Sequence, residues 1–192
     1  ELGADALLVV SPYYNKATED GLYRHYRCIA EAVSIPVILY NVPSRTGLDI
    51  PVSVYQKLAE IPNIVGVKEA SSDIRKIAKI RQQCPRDFSV WCGNDDLAVP
   101  ALSLGAAGLI SVVSNVEPEL TQAMVKAALD GDFDTASDLQ CRLLPLMQTL
   151  FREVNPVPVK EALKLIGLDC GSCRLPLGEV SPETREALAS LL

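Results

Sequence analysis

"NIVGVKEASSD", Asn63 to Asp73, sets a strand of core residues directly against a lysine. Ile64, Val65, Gly66 and Val67 form an apolar run of strand length, and Lys68 follows with no turn residue between. A lysine in that position has two readings. It can snorkel along its stem and put the ammonium in water. Or it can be held in an apolar pocket, where burial disfavours the charged form and leaves a nucleophilic amine. The surrounding chain decides between them.

Runs of the same kind recur on either side. Ala6–Val10 ("ALLVV"), "PVILYNVP" (36–43), "DFSVWCG" (87–93) and "GLISVV" (108–113) all read as strands. Helical spacing fills the gaps. Leu22, Tyr26, Ile29, Ala30 and Val33 share one face of a helix from Glu19, and Pro51 opens a helix through Leu58 and Ala59. A third helix starts at Asp73, with Ile74, Ile77, Ala78 and Arg81 at spacings of three and four, while "DDLAVPALSLG" separates the last two strands. The strands then stop. Pro118–Leu129, Asp132–Phe151, Val157–Ile166 and Pro182–Leu192 read as helices, the first two divided by Gly131 and the last capped by Ser181. Short, nearly all-apolar strands alternating with helices imply parallel pairing with both faces covered, hence an α/β protein. A doubly wound sheet and a (β/α) barrel both satisfy that pattern. No Gly-x-Gly-x-x-Gly follows the first strand, so a dinucleotide-binding version has no support.

Composition narrows the function classes. The 192 residues are 48% hydrophobic and 22% charged, as in an ordinary globular chain, and the net charge of −6 argues against a general nucleic-acid or anionic-membrane binder. No run reaches the roughly 18 apolar residues of a membrane span. Four of the six cysteines (28, 84, 92, 141) fall in helix or strand patterns, where the residue acts as a small apolar group. Cys170-Gly-Ser-Cys173 has tight spacing but no second pair or neighbouring histidine, so it reads as loop rather than metal site, and the set fits a reducing cytosol.

In parallel α/β folds the chemistry gathers at the carboxyl ends of strands. Those ends are Ser11–Asn15, Tyr40-Asn41, Lys68-Glu69, Gly93-Asn94-Asp95 and Ser111–Asn115, all polar. Adjacent parallel strands lie about 5 Å apart, so the Tyr40 phenol and the Lys68 amine can face each other. An amine of lowered pKa attacks a ketone, and a phenol beside it can pass protons to and from the carbinolamine. Such a site makes an imine of a keto acid and needs neither a metal nor an organic cofactor. His25, the one histidine, lies in a helix and is assigned no role.

"SPYYNKATEDGLYRHY", "LYNVPSRTG", "GVKEASSD", "GLISVVSN" and "NPVPVK", in this order, resemble the dihydrodipicolinate synthase family of pyruvate-dependent class I aldolases. The resemblance runs from end to end. It implies a (β/α)8 TIM barrel, here a partial barrel of about five βα units (1–116) followed by the last barrel helix and a C-terminal helical extension (117–192), as one domain. It implies a cytoplasmic lyase that condenses pyruvate with aspartate semialdehyde in lysine and diaminopimelate biosynthesis, without cofactor, as a homo-oligomer built as a dimer of dimers.

Carried over by motif, Lys68 is the Schiff-base lysine and Tyr40 the proton-relay phenol. Tyr14 reaches across a dimer interface to complete a partner's relay. Arg45 binds the carboxylate of the second substrate, for which its planar fork suits bidentate capture. Ile110 and Gly93 line the pyruvate site, and Tyr13 belongs to an effector-site loop. Sister enzymes that cleave sialic acid or keto-deoxy sugar acids share the lysine and tyrosine and usually lack the arginine, so Arg45 favours the synthase. An inactive fragment or partner subunit is the remaining alternative. The resemblance also implies eight strands where five are legible, so the first third, with a Thr-Thr motif of the relay, is expected to be missing. The five-stranded arc alone is then expected to fold poorly or self-associate. Ser72 stands where the family often has glycine, Ala17 where proline is common, and "CGND" replaces a more usual turn.

Overall fold

The computed structural model describes residues 3–192. These divide into two compact units, one running to Ile110 and the other from Ser111 to Leu192.

The first unit holds five parallel strands: β1 (Leu7–Val10), β2 (Val37–Asn41), β3 (Ile64–Glu69), β4 (Ser89–Cys92) and β5 (Gly108–Leu109). Their spatial order is β1-β2-β3-β4-β5, the order of the sequence. A doubly wound sheet reverses direction at a switch point. This one never does. Each strand is laid beside the last in the same sense, which makes an arc of barrel wall, the partial barrel.

The pleat then sorts the side chains. One face carries the rows Leu8–Ile38–Gly66–Ser89 and Val10–Tyr40–Lys68–Trp91–Gly108. The other carries Val9–Leu39–Val67–Val90 and, at the carboxyl end, Asn41–Glu69–Cys92–Leu109. Leu39, Val67 and Val90 are fully buried, whereas Leu8 and Val10 are 47% and 38% exposed. The helix-covered face is therefore the packed one, and the concave face is open at β1.

Local signals fix the helices of this unit. Thr18 caps α1 (Glu19–Glu31) by accepting the Gly21 N–H, with Glu19 and Asp20 favourably placed in the first turn. Leu22, Tyr26 and Ala30 are its buried stripe. Pro51 caps α3 (Val52–Leu58) rather than opening its first turn. Asp73 caps α4 (Ile74–Gln83) by accepting the Arg75 N–H. The buried face of α4 is Lys76, Ile77 and Ile80, rotated from the expected one, and Ala78 is exposed.

Two connecting segments gain structure and one expected strand is shorter. "PSRTG" is a one-turn helix, α2 (Pro43–Thr46), started by Pro43 and stopped by Gly47 at φ 69°. "DDLAVPALSLG" folds as a 3₁₀ turn, Asp95–Leu97, leading into α5 (Ala98–Ser103). "GLISVV" pairs only at Gly108–Leu109. Beyond it the Ser111 hydroxyl accepts the Ser114 N–H and the Asn115 amide donates to the Val112 carbonyl, so local side-chain bonds turn the chain out of extended form.

The second unit is helical. After a 3₁₀ turn (Val113–Asn115), α6 (Pro118–Leu129) and α7 (Phe133–Thr149) pack as a hairpin, with Asp132 capping α7 through the Thr135 N–H. Then α8 (Val157–Leu165) packs on α9 (Pro182–Ala189), which Ser181 caps through the Thr184 N–H. Glu153 accepts from the Ser181 hydroxyl at 2.7 Å, and Arg185 pairs with Glu161 at 2.9 Å. Met124, Leu143, Met147, Leu150 and Leu188 are its largest fully or nearly fully buried apolar side chains.

All six cysteines are free. Cys84 and Cys92 are buried as expected of small apolar residues, but Cys28 and Cys141 are exposed on their helices. Cys170 and Cys173 lie in the irregular segment between α8 and α9. Among the described residues, no three His, Cys, Asp or Glu side chains are gathered to hold a metal ion, and no helix is long and apolar enough to cross a membrane.

Candidate active site

Tyr40 and Lys68 are direct ladder partners at the carboxyl ends of β2 and β3. Both project to the concave face, and the Lys68 Nζ sits 4.5 Å from the centroid of the Tyr40 ring. The ring shields one side of the amine from water. Both side chains are half-buried, and burial pushes the Lys68 pKa down from the usual lysine value. The negative charge of Asp95 partly opposes that shift and the positive charge of Arg45 adds to it. Burial also raises the Tyr40 pKa, with Arg45 pulling the other way, so the phenol keeps its proton at neutral pH. A more readily deprotonated amine beside a protonated phenol can add to a ketone and exchange protons with the adduct.

Lys68's other neighbour in the row is Trp91. Its indole lies over Gly66, where an added Cβ would come 2.1 Å from the Ser89 backbone oxygen and 2.8 Å from the ring. Glycine two residues before the lysine thus makes room first for the β4 backbone and then for the indole beside Lys68. Gly93 is also closely packed. A Cβ there would lie 2.7 Å from Ala70 Cβ and 3.0 Å from Lys68 Cε, and the Gly93 N–H bonds the Glu69 carbonyl at 2.8 Å. Gly93 is therefore in contact range of the lysine stem. Ile110 continues the β5 edge, its N–H donating to the Cys92 carbonyl at 2.9 Å.

Arg45 is exposed on α2, and its charge acts on both Tyr40 and Lys68. Tyr13 and Tyr14 are 69% and 89% exposed on the loop after β1, with Tyr14 at φ 69°. Ser72, also left-handed at φ 64°, accepts from the Asn94 amide at 3.1 Å and so joins the loops that follow β3 and β4.

Two strand-end residues expected in the mouth are not there. Asn41 and Glu69 each follow a concave-face residue, so the period of two turns them to the helix side, where both are buried. Sequence reasoning also passed over Trp91, which reads as one more apolar strand residue, and Lys76, which reads as a solvated helix lysine. The available signal for Trp91 was its offset from the "CGND" turn, which places it level with Lys68.

The chain matches the Dihydrodipicolinate synthetase family over residues 1–192 and belongs to that family. The 4-hydroxy-tetrahydrodipicolinate synthase of Acetivibrio thermocellus is 48% identical over 192 residues, covering all of this chain and 65% of that protein. Among solved structures, dihydrodipicolinate synthase from Aquifex aeolicus superposes with a TM-score of 0.96 at 45% identity, over 98% of this chain and 65% of its own. The enzyme from Acinetobacter baumannii, described as chloride-inhibited and complexed with pyruvate, gives 0.96 at 44% identity, over 99% and 65%. The chain thus spans about 65% of the length of these relatives.

Proposed function

We propose that this chain carries the imine-forming site of a 4-hydroxy-tetrahydrodipicolinate synthase, a lyase that condenses pyruvate with aspartate semialdehyde. The observation that carries the reading is the Lys68 amine, its pKa lowered by burial, held 4.5 Å from the Tyr40 ring at the carboxyl end of the sheet. The names of the relatives support it, as does pyruvate in the Acinetobacter baumannii complex.

In this mechanism the neutral Lys68 Nζ adds to the ketone carbon of pyruvate. The carbinolamine loses water to give the imine, with Tyr40 supplying the proton that leaves with the hydroxyl. The Tyr40 phenolate left by that step takes a proton from the methyl carbon, which converts the imine to an enamine whose carbon attacks the aldehyde of the second substrate. Arg45 holds that substrate's carboxylate. The backbone at Ile110 and the turn at Gly93 line the pyruvate site, and Tyr14 completes the relay of a neighbouring subunit. Tyr13 belongs to an effector loop. The protein works in the cytoplasm as a homo-oligomer, a dimer of dimers, and needs no cofactor.

The test is borohydride reduction in the presence of pyruvate, followed by peptide mass mapping. A reduced pyruvyl adduct on Lys68 is expected. Absence of an adduct from the natural protein overturns the reading. If the adduct forms, aspartate semialdehyde compared with acyl sugars as second substrate separates the synthase from the sister aldolases.

A further inference from the structure

Behind the sheet, on the side away from Lys68, lies a buried cluster of charged and polar groups. Glu69 is 3% exposed, Lys76 6% and Asn41 fully buried. The Asn41 amide donates to Glu69 Oε1 at 2.9 Å, to Oε2 at 3.1 Å and to Asp49 Oδ1 at 2.8 Å. Its own carbonyl oxygen accepts the Ile50 N–H at 3.0 Å. Lys76 Nζ pairs with Asp49 and lies 3.8 Å from Glu69 Oε2. The Tyr55 hydroxyl donates to Glu69 Oε2 at 3.3 Å, and the Ser71 N–H to Oε1 at 2.8 Å.

A buried lysine and glutamate are costly to retain and weak as a source of stability. What this cluster does is geometric. The segment from Asn41 to Ile50 leaves β2, carries Arg45 on α2 and returns. Asn41 ties its start to its end through Asp49 and Ile50, and Lys76 holds Asp49 to α4. Glu69 joins that knot to the strand bearing Lys68, and through Ser71 to the loop beyond.

We propose that the Asp49–Lys76–Glu69–Asn41 cluster is a positioning device that fixes the Arg45 segment relative to Lys68, and that Asp49 and Lys76 are positioning residues for the carboxylate of the second substrate. The inference rests on the proposed function and deepens it. In the proposed mechanism Arg45 holds the second substrate and not pyruvate, so loosening the segment spares imine formation and weakens capture of the aldehyde.

The experiment uses the natural protein with Asp49→Ala, whose side chain is about half exposed and whose loss leaves Lys76 its second partner Glu69, and with Lys76→Arg, which keeps the charge. In Asp49→Ala the KM for aspartate semialdehyde rises about tenfold, equivalent to about 1.4 kcal/mol. The KM for pyruvate and the rate of borohydride trapping stay within about twofold, and hydrogen exchange of the backbone amides of 42–49 accelerates while that of 64–69 does not. Lys76→Arg keeps most of the wild-type KM. Equal rises in both KM values, an unchanged aldehyde KM, or faster exchange with no change in KM each overturn the proposal. Should the unaltered protein form no pyruvyl adduct, the proposed function falls, and the exchange pattern alone decides whether the segment is clamped.

Discussion

The two sides of the last rungs of the sheet differ in what they do with polar groups. Tyr40 and Asn41 are adjacent in sequence, as are Lys68 and Glu69, yet each pair is split by the pleat. On the helix side Asn41 and Glu69 are buried and their hydrogen-bonding capacity is taken up by Asp49, Ile50, Tyr55, Ser71 and Lys76. On the concave side Tyr40 and Lys68 are half-buried and share a ring-over-amine contact. A group whose partners are fixed holds shape, and a group with spare capacity can react. Separating the two by one residue lets a single strand end do both.

The largest expected break in that contrast is Lys68→Met. The pyruvyl adduct vanishes, while the melting temperature stays near wild type because the helix side is untouched; an adduct elsewhere on the chain would relocate the site. Next comes Gly93→Ala, whose Cβ meets Ala70 and the Lys68 stem. Shifting the amine by about 1 Å slows adduct formation about 100-fold, with overpacking costing about 1–3 kcal/mol of stability. Unchanged trapping kinetics would show that the stem has room to yield.

A pH series sharpens the comparison further. The lowered pKa of Lys68 means that the neutral amine gains about tenfold per pH unit below that pKa and then levels off. The trapping rate therefore climbs with pH and flattens below the ordinary lysine value of 10.5. A plateau at or above that value removes burial from the argument.

On the helix side the expected effects are smaller. Tyr55→Phe deletes one of several bonds to Glu69 and costs about 1 kcal/mol by urea denaturation, with trapping unaffected. A loss several times larger would mean that Glu69 depends on that hydroxyl. Smallest is Ser72→Gly. It relieves a left-handed backbone at φ 64° and gives up an exposed bond to Asn94. The net is a gain of about 0.5 kcal/mol, and a loss would show that the Asn94 link outweighs the backbone strain.

Much of this was legible in the sequence because it follows from periodicity. Parallel strands of Val, Ile and Leu, the capping residues Thr18, Asp73 and Ser181, and the ladder pairing of Tyr40 with Lys68 all follow from spacing or local chemistry. What escaped is where two residue roles share one letter. Lys76 looks like any helix lysine, and only its tertiary partners Asp49 and Glu69 make its burial intelligible. Strand-end position groups Asn41 and Glu69 with the mouth, and only the period of two along each strand turns them to the other face. "GLISVV" reads as a longer strand than Gly108–Leu109 because its apolar run conceals the Ser111 and Asn115 side-chain bonds that turn the chain.

Trp91 has a practical consequence. It is the chain's single tryptophan and the ladder neighbour of Lys68. Indole emission responds to charge and water nearby, and imine formation changes both within one strand spacing. The protein thus carries its own optical probe, and a fluorescence titration with pyruvate reads occupancy of the site without label, coupling enzyme or second substrate.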